Sequence, residues 1–248
     1  MLLLEAREAT GITFSRNGIS SLIVRLIRTR YALIKRLFDI ALSFIALIIS
    51  TPLILTLSVL VKLTSPGPVF YMQTRIGKEG KPFRIIKFRT MHVNAEDGIG
   101  PVWAKPEDPR VTKLGYYIRA LHLDEIPQFI NIIKGDMSFI GPRPERPFFV
   151  DSFKMQMQGY TNRLMVKPGL TGLAQVRLKY DETIDDVKKK LSYDRIYIKK
   201  MCLYLDFKIS VWTMGKIASK LLKLFRTNRS GTGSDNFILT EGGISYGK

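Results

Sequence analysis

The sequence predicts an α/β (α+β) fold: a small β-hairpin sheet surrounded by helices, preceded by a membrane segment near the N-terminus. Three observations predict it. Residues 40–61, IALSFIALIISTPLILTLSVLV, form a charge-free apolar run with Pro52 near its middle. Residues 69–76 and 82–91 are rich in aromatic and branched side chains and flank Gly77-Lys78-Glu79-Gly80, a hairpin signature. Further along, Ile126, Phe129, Ile130 and Ile133 recur at helical spacing.

The apolar run is long enough for hydrocarbon, since roughly 20 residues span a bilayer core. It is basic on both sides: Arg25, Arg28, Arg30, Lys35 and Arg36 precede it, and Lys62, Arg75, Lys78, Lys81, Arg84, Lys87 and Arg89 follow it. Lys and Arg near membrane segments favour the cytoplasmic side. Both ends are therefore expected there, and a bend at Pro52 allows it, because proline removes an intrahelical hydrogen bond. A re-entrant helix-break-helix and a proline-kinked spanning helix both fit the residues alone. Upstream, residues 19–36 set Leu22, Leu26, Leu33 and Ile34 among basic residues, as an amphipathic interfacial helix does. A soluble amphipathic helix has the same pattern.

Composition narrows the partners. The 248 residues suffice for one domain plus a membrane element, and 46% are apolar. The net charge of +18 calls for an anionic partner, whether nucleic acid, lipid surface or phosphorylated substrate. The apolar run favours lipid, because each juxtamembrane basic residue gains about 1 kcal/mol near an anionic leaflet. Cys202 is the single cysteine, which rules out an internal disulfide and fits a reducing cytosolic face. Met1 to Leu4 is too short for a signal-peptide core, and Glu5 and Glu8 follow at once.

After the apolar run, Ser65-Pro66-Gly67-Pro68 breaks both helix and strand, and the hairpin follows. Residues 92–109 read as a long irregular loop. One helix is expected from Lys113 to Ala120, and a second from near Asp124, with Pro127 in its first turn and Gly135-Asp136 as its end. GPRPERP (141–147) reads as rigid loop and KPGLTG (167–172) as turn. Residues 183–200 and 203–225 read as helices, and 226–248 as a Gly/Ser/Asn-rich disordered tail. The expected divisions are 1–34, an extension with the interfacial helix; 35–63, the membrane segment; 64–225, the main folded domain; and 226–248, the tail.

Asp124-Glu125 is the leading candidate for chemistry. Adjacent carboxylates at a helix start are kept ionised by the helix dipole. An ionised aspartate can act as a nucleophile, and Mg²⁺ binds through one or two carboxylates plus substrate phosphates. Ordinary helix-start capping uses the same residue types. Arg143, between Pro142 and Pro144, is a stiffly held guanidinium suited to a phosphate; pairing with Glu145 or Asp136 is its structural alternative. Arg119 lies five residues before Asp124, and Lys87 and Arg89 share a face of the expected strand. Two histidines and one cysteine are too few for a zinc site. Neither GxxxxGK[ST] nor GxGxxG occurs.

These pieces, in this order, closely resemble the bacterial sugar transferases, the monotopic phosphoglycosyl transferases. The resemblance is carried by KRLFDI (35–40), the apolar segment interrupted at Ser50-Thr51-Pro52, SPGPVFYMQTRIGKEGKPFRIIKFRTM (65–91), DPRVTKLGYYIRALHLDEIPQFINIIKGDMSFIGPRPE (108–145) and KPGLTGLAQV (167–176). It covers about residues 35–215. With about 34 residues before KRLFDI, the chain looks like a minimal-size member. The resemblance implies transfer of a sugar 1-phosphate from a UDP-sugar to polyprenyl phosphate, with release of UMP. It implies Mg²⁺ and a phosphosugar held covalently on Asp124 of the Asp124-Glu125 dyad, which is also the implied metal site. The implied phosphate-binding residues are Lys87, Arg89, Arg119, Arg143 and Glu145. Ser50, Thr51 and Pro52 match the re-entrant break, which implies a monotopic protein at the cytoplasmic face of the bacterial inner membrane. In related sequences a Gly-Arg loop commonly follows AQV. Here Gln175-Val176 leads into Arg177-Leu178-Lys179-Tyr180, so Gln175 and Arg177 are the substitutes for its nucleotide or sugar contact. Expected partners are the UDP-sugar, polyprenyl phosphate, inner-membrane lipids and a second copy of the chain, with no nucleic acid. Two rivals stand beside this reading: a non-catalytic membrane scaffold for glycan assembly, and a basic nucleic-acid-binding protein.

Overall fold

A computed structural model describes residues 16–98, 100–103, 108–178, 183–229, 239–240 and 243–244. Residues 16–28, 223–229 and the last four of these are described by backbone alone. The chain divides into two units, Met1–Phe38 and Asp39–Lys248.

Helix α1 is Arg16–Thr64, with Pro52 inside it. The helix expected at 19–36 lies within it and runs on into the apolar run. Thr29–Thr64 is the one stretch among the described residues long and apolar enough to cross a membrane. Phe44, Ile48, Ile49, Leu55 and Leu63 all lie exposed along it. Helix is retained through Ser50-Thr51-Pro52, but its backbone bonding is altered there. Pro52 has no N–H for the carbonyl of Ile48. The Ser50 and Thr51 hydroxyls donate to the carbonyls of Ala46 and Leu47 at 2.6 and 2.7 Å. Such back-bonding slightly destabilises helices and often bends them.

In the second unit one stripe of α1 is covered. Asp39 and Ser43 are buried before Pro52, and Leu57 and Val61 after it. The carboxylate of Asp39 accepts from the Phe139 N–H at 3.1 Å. Leu57 and Val61 pack with Phe88 and Ile118.

The hairpin forms as expected from β1 (Phe70–Ile76) and β2 (Pro82–Phe88), antiparallel, with Phe70 opposite Phe88 and Ile76 opposite Pro82. Helix α2, Lys113–Ala120, matches its expected span. Thr112 caps it by accepting from Gly115 N–H at 2.9 Å. A Cβ on Gly115 would lie 2.1 Å from the Thr90 carbonyl oxygen, so only glycine lets α2 meet the chain just beyond β2.

The next helix corrects two expectations. It begins later, as α3 (Gln128–Lys134), and Asp124-Glu125 occupy a separate 3₁₀ turn, Leu123–Glu125. Pro127 brings no N–H with which an α-helix would bond the Leu123 carbonyl. The Ile126 N–H bonds that carbonyl instead, at 3.3 Å. The buried face also differs. Gln128, Asn131 and Ile132 are buried, whereas Ile130 is exposed. The Asn131 amide accepts from Ile86 N–H at 3.0 Å and donates to the Arg84 carbonyl at 2.8 Å, completing the open edge of β2. Hydrogen bonding, which periodicity does not register, chose the face.

Beyond α3, β3 (Ser138–Ile140) pairs in parallel with β4 (Gly169–Thr171), so part of the KPGLTG segment expected as turn is strand. An unexpected helix, α4 (Pro147–Gln156), follows the GPRPERP loop, and a 3₁₀ segment covers Tyr160–Met165. Short α5 (Leu173–Arg177) leads to α6 (Ile184–Lys200) and α7 (Leu203–Arg229), close to the expected helices. The core here joins Val150, Phe153, Met157 and Tyr160 to Val187 and Leu191 of α6. Of the tail, α7 takes residues to Arg229, and Leu239–Thr240 pairs with Gly243–Ile244 as β5 and β6; the remainder lies outside the described residues.

Candidate active site

Three elements distant in sequence converge on the acidic turn. Lys87 comes from β2, Asp124 and Glu125 from the 3₁₀ turn, and Arg143 from the loop between β3 and α4. Lys87 Nζ lies 2.8 Å from Glu125 Oε1 and 3.5 Å from Asp124 Oδ2. Arg143 Nη2 donates to the same Glu125 Oε1 at 3.0 Å. Arg143 thus pairs with Glu125.

Burial pushes the Glu125 carboxyl up, but Lys87 and Arg143 outweigh it and hold the group well below the usual carboxylate range. The side chains of Lys87, Asp124 and Glu125 are 18%, 12% and 17% exposed. They are thus largely desolvated, which strengthens each charge–charge interaction, yet solvent still reaches them.

The loop that presents Arg143 is held by its carbonyls. Pro142 and Pro144 bring no N–H groups. The carbonyl of Pro142 accepts from Gly169 N–H at 2.9 Å, that of Arg143 from Arg163 Nη2 at 2.8 Å, that of Pro144 from Arg75 Nη1 at 3.1 Å, and that of Glu145 from Ile76 N–H at 2.9 Å. A Cβ on Gly169 would sit 2.1 Å from Gly141 N, so the two loops interlock backbone against backbone.

The remaining expected residues are distributed differently. Glu145 pairs with Arg75 at 3.7 Å. Arg89 is buried and turns to the end of α1, donating to the Ser65 carbonyl and hydroxyl, each at 2.8 Å. Arg119 is half-buried in the last turn of α2. The Gln175 side chain donates to the Leu170 carbonyl at 3.0 Å. Arg177 stacks over the Trp212 ring, 4.1 Å from its centroid. Ser50, Thr51 and Pro52 lie within α1 as described. Sequence reading missed Arg75, Arg163 and Asp194, whose partners lie 69, 20 and 31 residues away; no local motif marks them.

The described residues contain no cluster of three or more His, Cys, Asp or Glu able to hold a metal by themselves. The dyad nevertheless suits Mg²⁺, which takes one or two carboxylates and completes its shell with water and substrate phosphate. Lys87 and Arg143 engage Asp124 Oδ2 and Glu125 Oε1, so Asp124 Oδ1 and Glu125 Oε2 are the oxygens to offer.

Comparison with known proteins gives a consistent family. The profile described as "Bacterial sugar transferase" matches residues 30–220. The "UDP-N-acetylgalactosamine-undecaprenyl-phosphate N-acetylgalactosaminephosphotransferase" of Aeromonas hydrophila is 47% identical over 187 residues, covering 75% of this chain and 44% of the relative. Two proteins named "UDP-glucose:undecaprenyl-phosphate glucose-1-phosphate transferase" are each 40% identical. That of Escherichia coli (strain K12) matches over 186 residues, 74% of this chain and 40% of the relative. That of Caulobacter vibrioides matches over 182 residues, 73% and 68%. The match thus spans less than half the length of two of these three relatives.

Proposed function

Since the chain belongs to the bacterial sugar transferase family, we propose that it transfers a sugar 1-phosphate from a UDP-sugar to polyprenyl phosphate. The observation that carries this reading is the dyad itself, two carboxylates in one turn with Lys87 and Arg143 both on Glu125. In this reading an Asp124 carboxylate oxygen attacks the β-phosphorus of the donor. The bond from that phosphorus to the bridging oxygen breaks, UMP leaves with the electron pair, and the phosphosugar stays on Asp124 as an acyl phosphate. A phosphate oxygen of the lipid acceptor then attacks the same phosphorus. It forms the lipid diphosphate sugar and returns the Asp124 carboxylate.

An anionic nucleophile approaches an anionic diphosphate only if that charge is offset. Positioning and charge stabilisation supply most of the catalysis in phosphoryl transfer. Glu125 keeps Lys87 and Arg143 beside Asp124, where both can turn to the phosphate oxygens. Bound Mg²⁺ would supply further neutralisation of the diphosphate.

The same reading places the apolar part of α1 as a re-entrant segment, with the catalytic domain at the cytoplasmic face of the bacterial inner membrane. Asp39 and Val61 support it. They stand on opposite sides of Pro52, about 33 Å apart along a straight helix at 1.5 Å per residue, yet within the second unit Asp39 bonds the Phe139 N–H and Val61 packs with Phe88 and Ile118. A segment crossing the bilayer would carry one of them away from those partners.

The test mixes detergent-solubilised protein, Mg²⁺, undecaprenyl phosphate and a panel of UDP-sugars beginning with UDP-GalNAc and UDP-glucose, and measures UMP. Release that depends on Asp124 is expected with at least one sugar. Its absence with every sugar favours the scaffold reading. Topology is checked with Ala32→Cys and Thr64→Cys, each in a Cys202→Ser background. Both are expected to be shielded from an impermeant thiol reagent in intact cells, and outside labelling of either excludes the re-entrant form.

A further inference from the structure

The buried cluster beneath the Arg143 loop has no part in the chemistry just described, yet it ends on that loop. Arg163 donates from Nε to Asp194 Oδ2 at 3.0 Å and from Nη1 to the Tyr160 hydroxyl at 2.7 Å. Its Nη2 lies 3.0 Å from Asp194 Oδ2 and donates to the Arg143 carbonyl at 2.8 Å. The side chains of Arg163 and Asp194 are 8% and 4% exposed, and Tyr160 is among the most buried residues of the protein. Its ring lies under the guanidinium, 5.2 Å from centroid to Cζ.

We propose that Arg163 is a positioning residue for Arg143, transmitting the placement of α6, through Asp194, to the guanidinium that meets the dyad. The proposal rests on the sugar-phosphate transfer reading for its kinetic consequence, but not for the mechanical link. Three features argue for it.

First, Arg143 is held at both ends. Its carbonyl is fixed by Arg163, while its side chain reaches Glu125 at 3.0 Å. Second, the flanking prolines have no N–H with which to anchor the loop, so its register depends on donors to its carbonyls, and Arg163 serves the carbonyl of Arg143 itself. Third, burying an arginine–aspartate pair is not an economical route to stability, because well-packed apolar residues of similar volume often do as well. An apolar replacement would fill the space but could not donate to Arg143. The planar guanidinium can bond a carboxylate, a hydroxyl and a carbonyl together, which the point charge of a lysine does poorly.

Two measurements test the proposal on the full-length protein. In hydrogen–deuterium exchange, Arg163→Lys should speed exchange selectively in the peptide covering residues 141–146. Unchanged exchange there, or an equal rise throughout the second unit, overturns the mechanical link. In a double-mutant cycle on kcat/KM for UMP release, Arg163→Lys should cost about ten- to a hundredfold, the scale of a small misplacement of a catalytic group. In an Arg143→Ala background the same change should cost less than twofold, because the group it positions is gone. Equal losses in both backgrounds overturn the proposal and make Arg163 a general strut. Should Arg163→Lys fail to fold, Asp194→Asn, which preserves side-chain shape, takes its place in both measurements. Wild-type protein without Asp124-dependent UMP release would sink the transferase reading, while the exchange measurement would still judge the link.

Discussion

Arg143 with Glu125 and Arg163 with Asp194 are the same chemical pair, each at 3.0 Å, in different settings. The first is 37% and 17% exposed, and its carboxylate oxygen also takes Lys87 beside a second carboxylate. The second is 8% and 4% exposed, and its guanidinium is shared among a carboxylate, a phenol and a carbonyl. Solvent-accessible charges that lean on one shared oxygen can be redirected to an arriving phosphate. A dry guanidinium with all of its groups bonded cannot move without breaking several contacts. Accessibility, more than pairing, separates a reactive cluster from a supporting one.

The most severe break of this contrast is Asp124→Asn. Removing a nucleophile should lower turnover by a factor on the order of 10⁴ or more, with the melting temperature nearly unchanged; UMP release and calorimetry check the two halves. On the supporting side, Arg163→Met leaves Asp194 buried without its cation and should cost about 3–5 kcal/mol of stability. Much of that should return in Arg163→Met/Asp194→Leu, as read by denaturant unfolding. Lys87→Met should cost about 10²–10³ in kcat, the scale of one lost charge-stabilising group, together with some stability, because Lys87 also offsets the burial of Glu125. A kcat within about twofold of wild type would assign Lys87 to the support.

Acid should sharpen the contrast further. The Glu125 carboxyl lies well below its ordinary range because Lys87 and Arg143 outweigh burial. A lowered folded-state value contributes stability that is present above the unfolded value of about 4.3 and is lost as pH falls towards the folded one. Arg143→Ala weakens that lowering, so its acid unfolding midpoint should move to higher pH, measured by tryptophan fluorescence. At Arg163, burial lowers the guanidinium and Asp194 more than restores it, leaving it above its usual value; it stays charged throughout that range. The smallest effect is expected at Arg177, whose stacking on Trp212 is worth about 0.5–1 kcal/mol. Arg177→Gln should lose about that much and keep its donor KM, whereas a tenfold rise in KM would place Arg177 at the substrate.

The sequence by itself determined what depends on near neighbours. Branched and aromatic residues on either side of Gly77–Gly80 marked the hairpin, and the span from Lys113 to Ala120 was read as helix. The adjacency of Asp124 and Glu125, and the stiffness of Pro142-Arg143-Pro144, were equally legible. Tertiary structure decided the partners. Glu125 meets Lys87 across 38 positions and Arg143 across 18, and Arg163 meets Asp194 across 31. It also buried Asn131 where periodicity favoured Ile130, sent Arg89 to the end of α1, and drew β4 out of an apparent turn. The physical reason is range: helix periods, turn residues and proline act through bonds only a few residues apart, whereas a buried charge or amide settles wherever folding brings it a hydrogen-bonding partner.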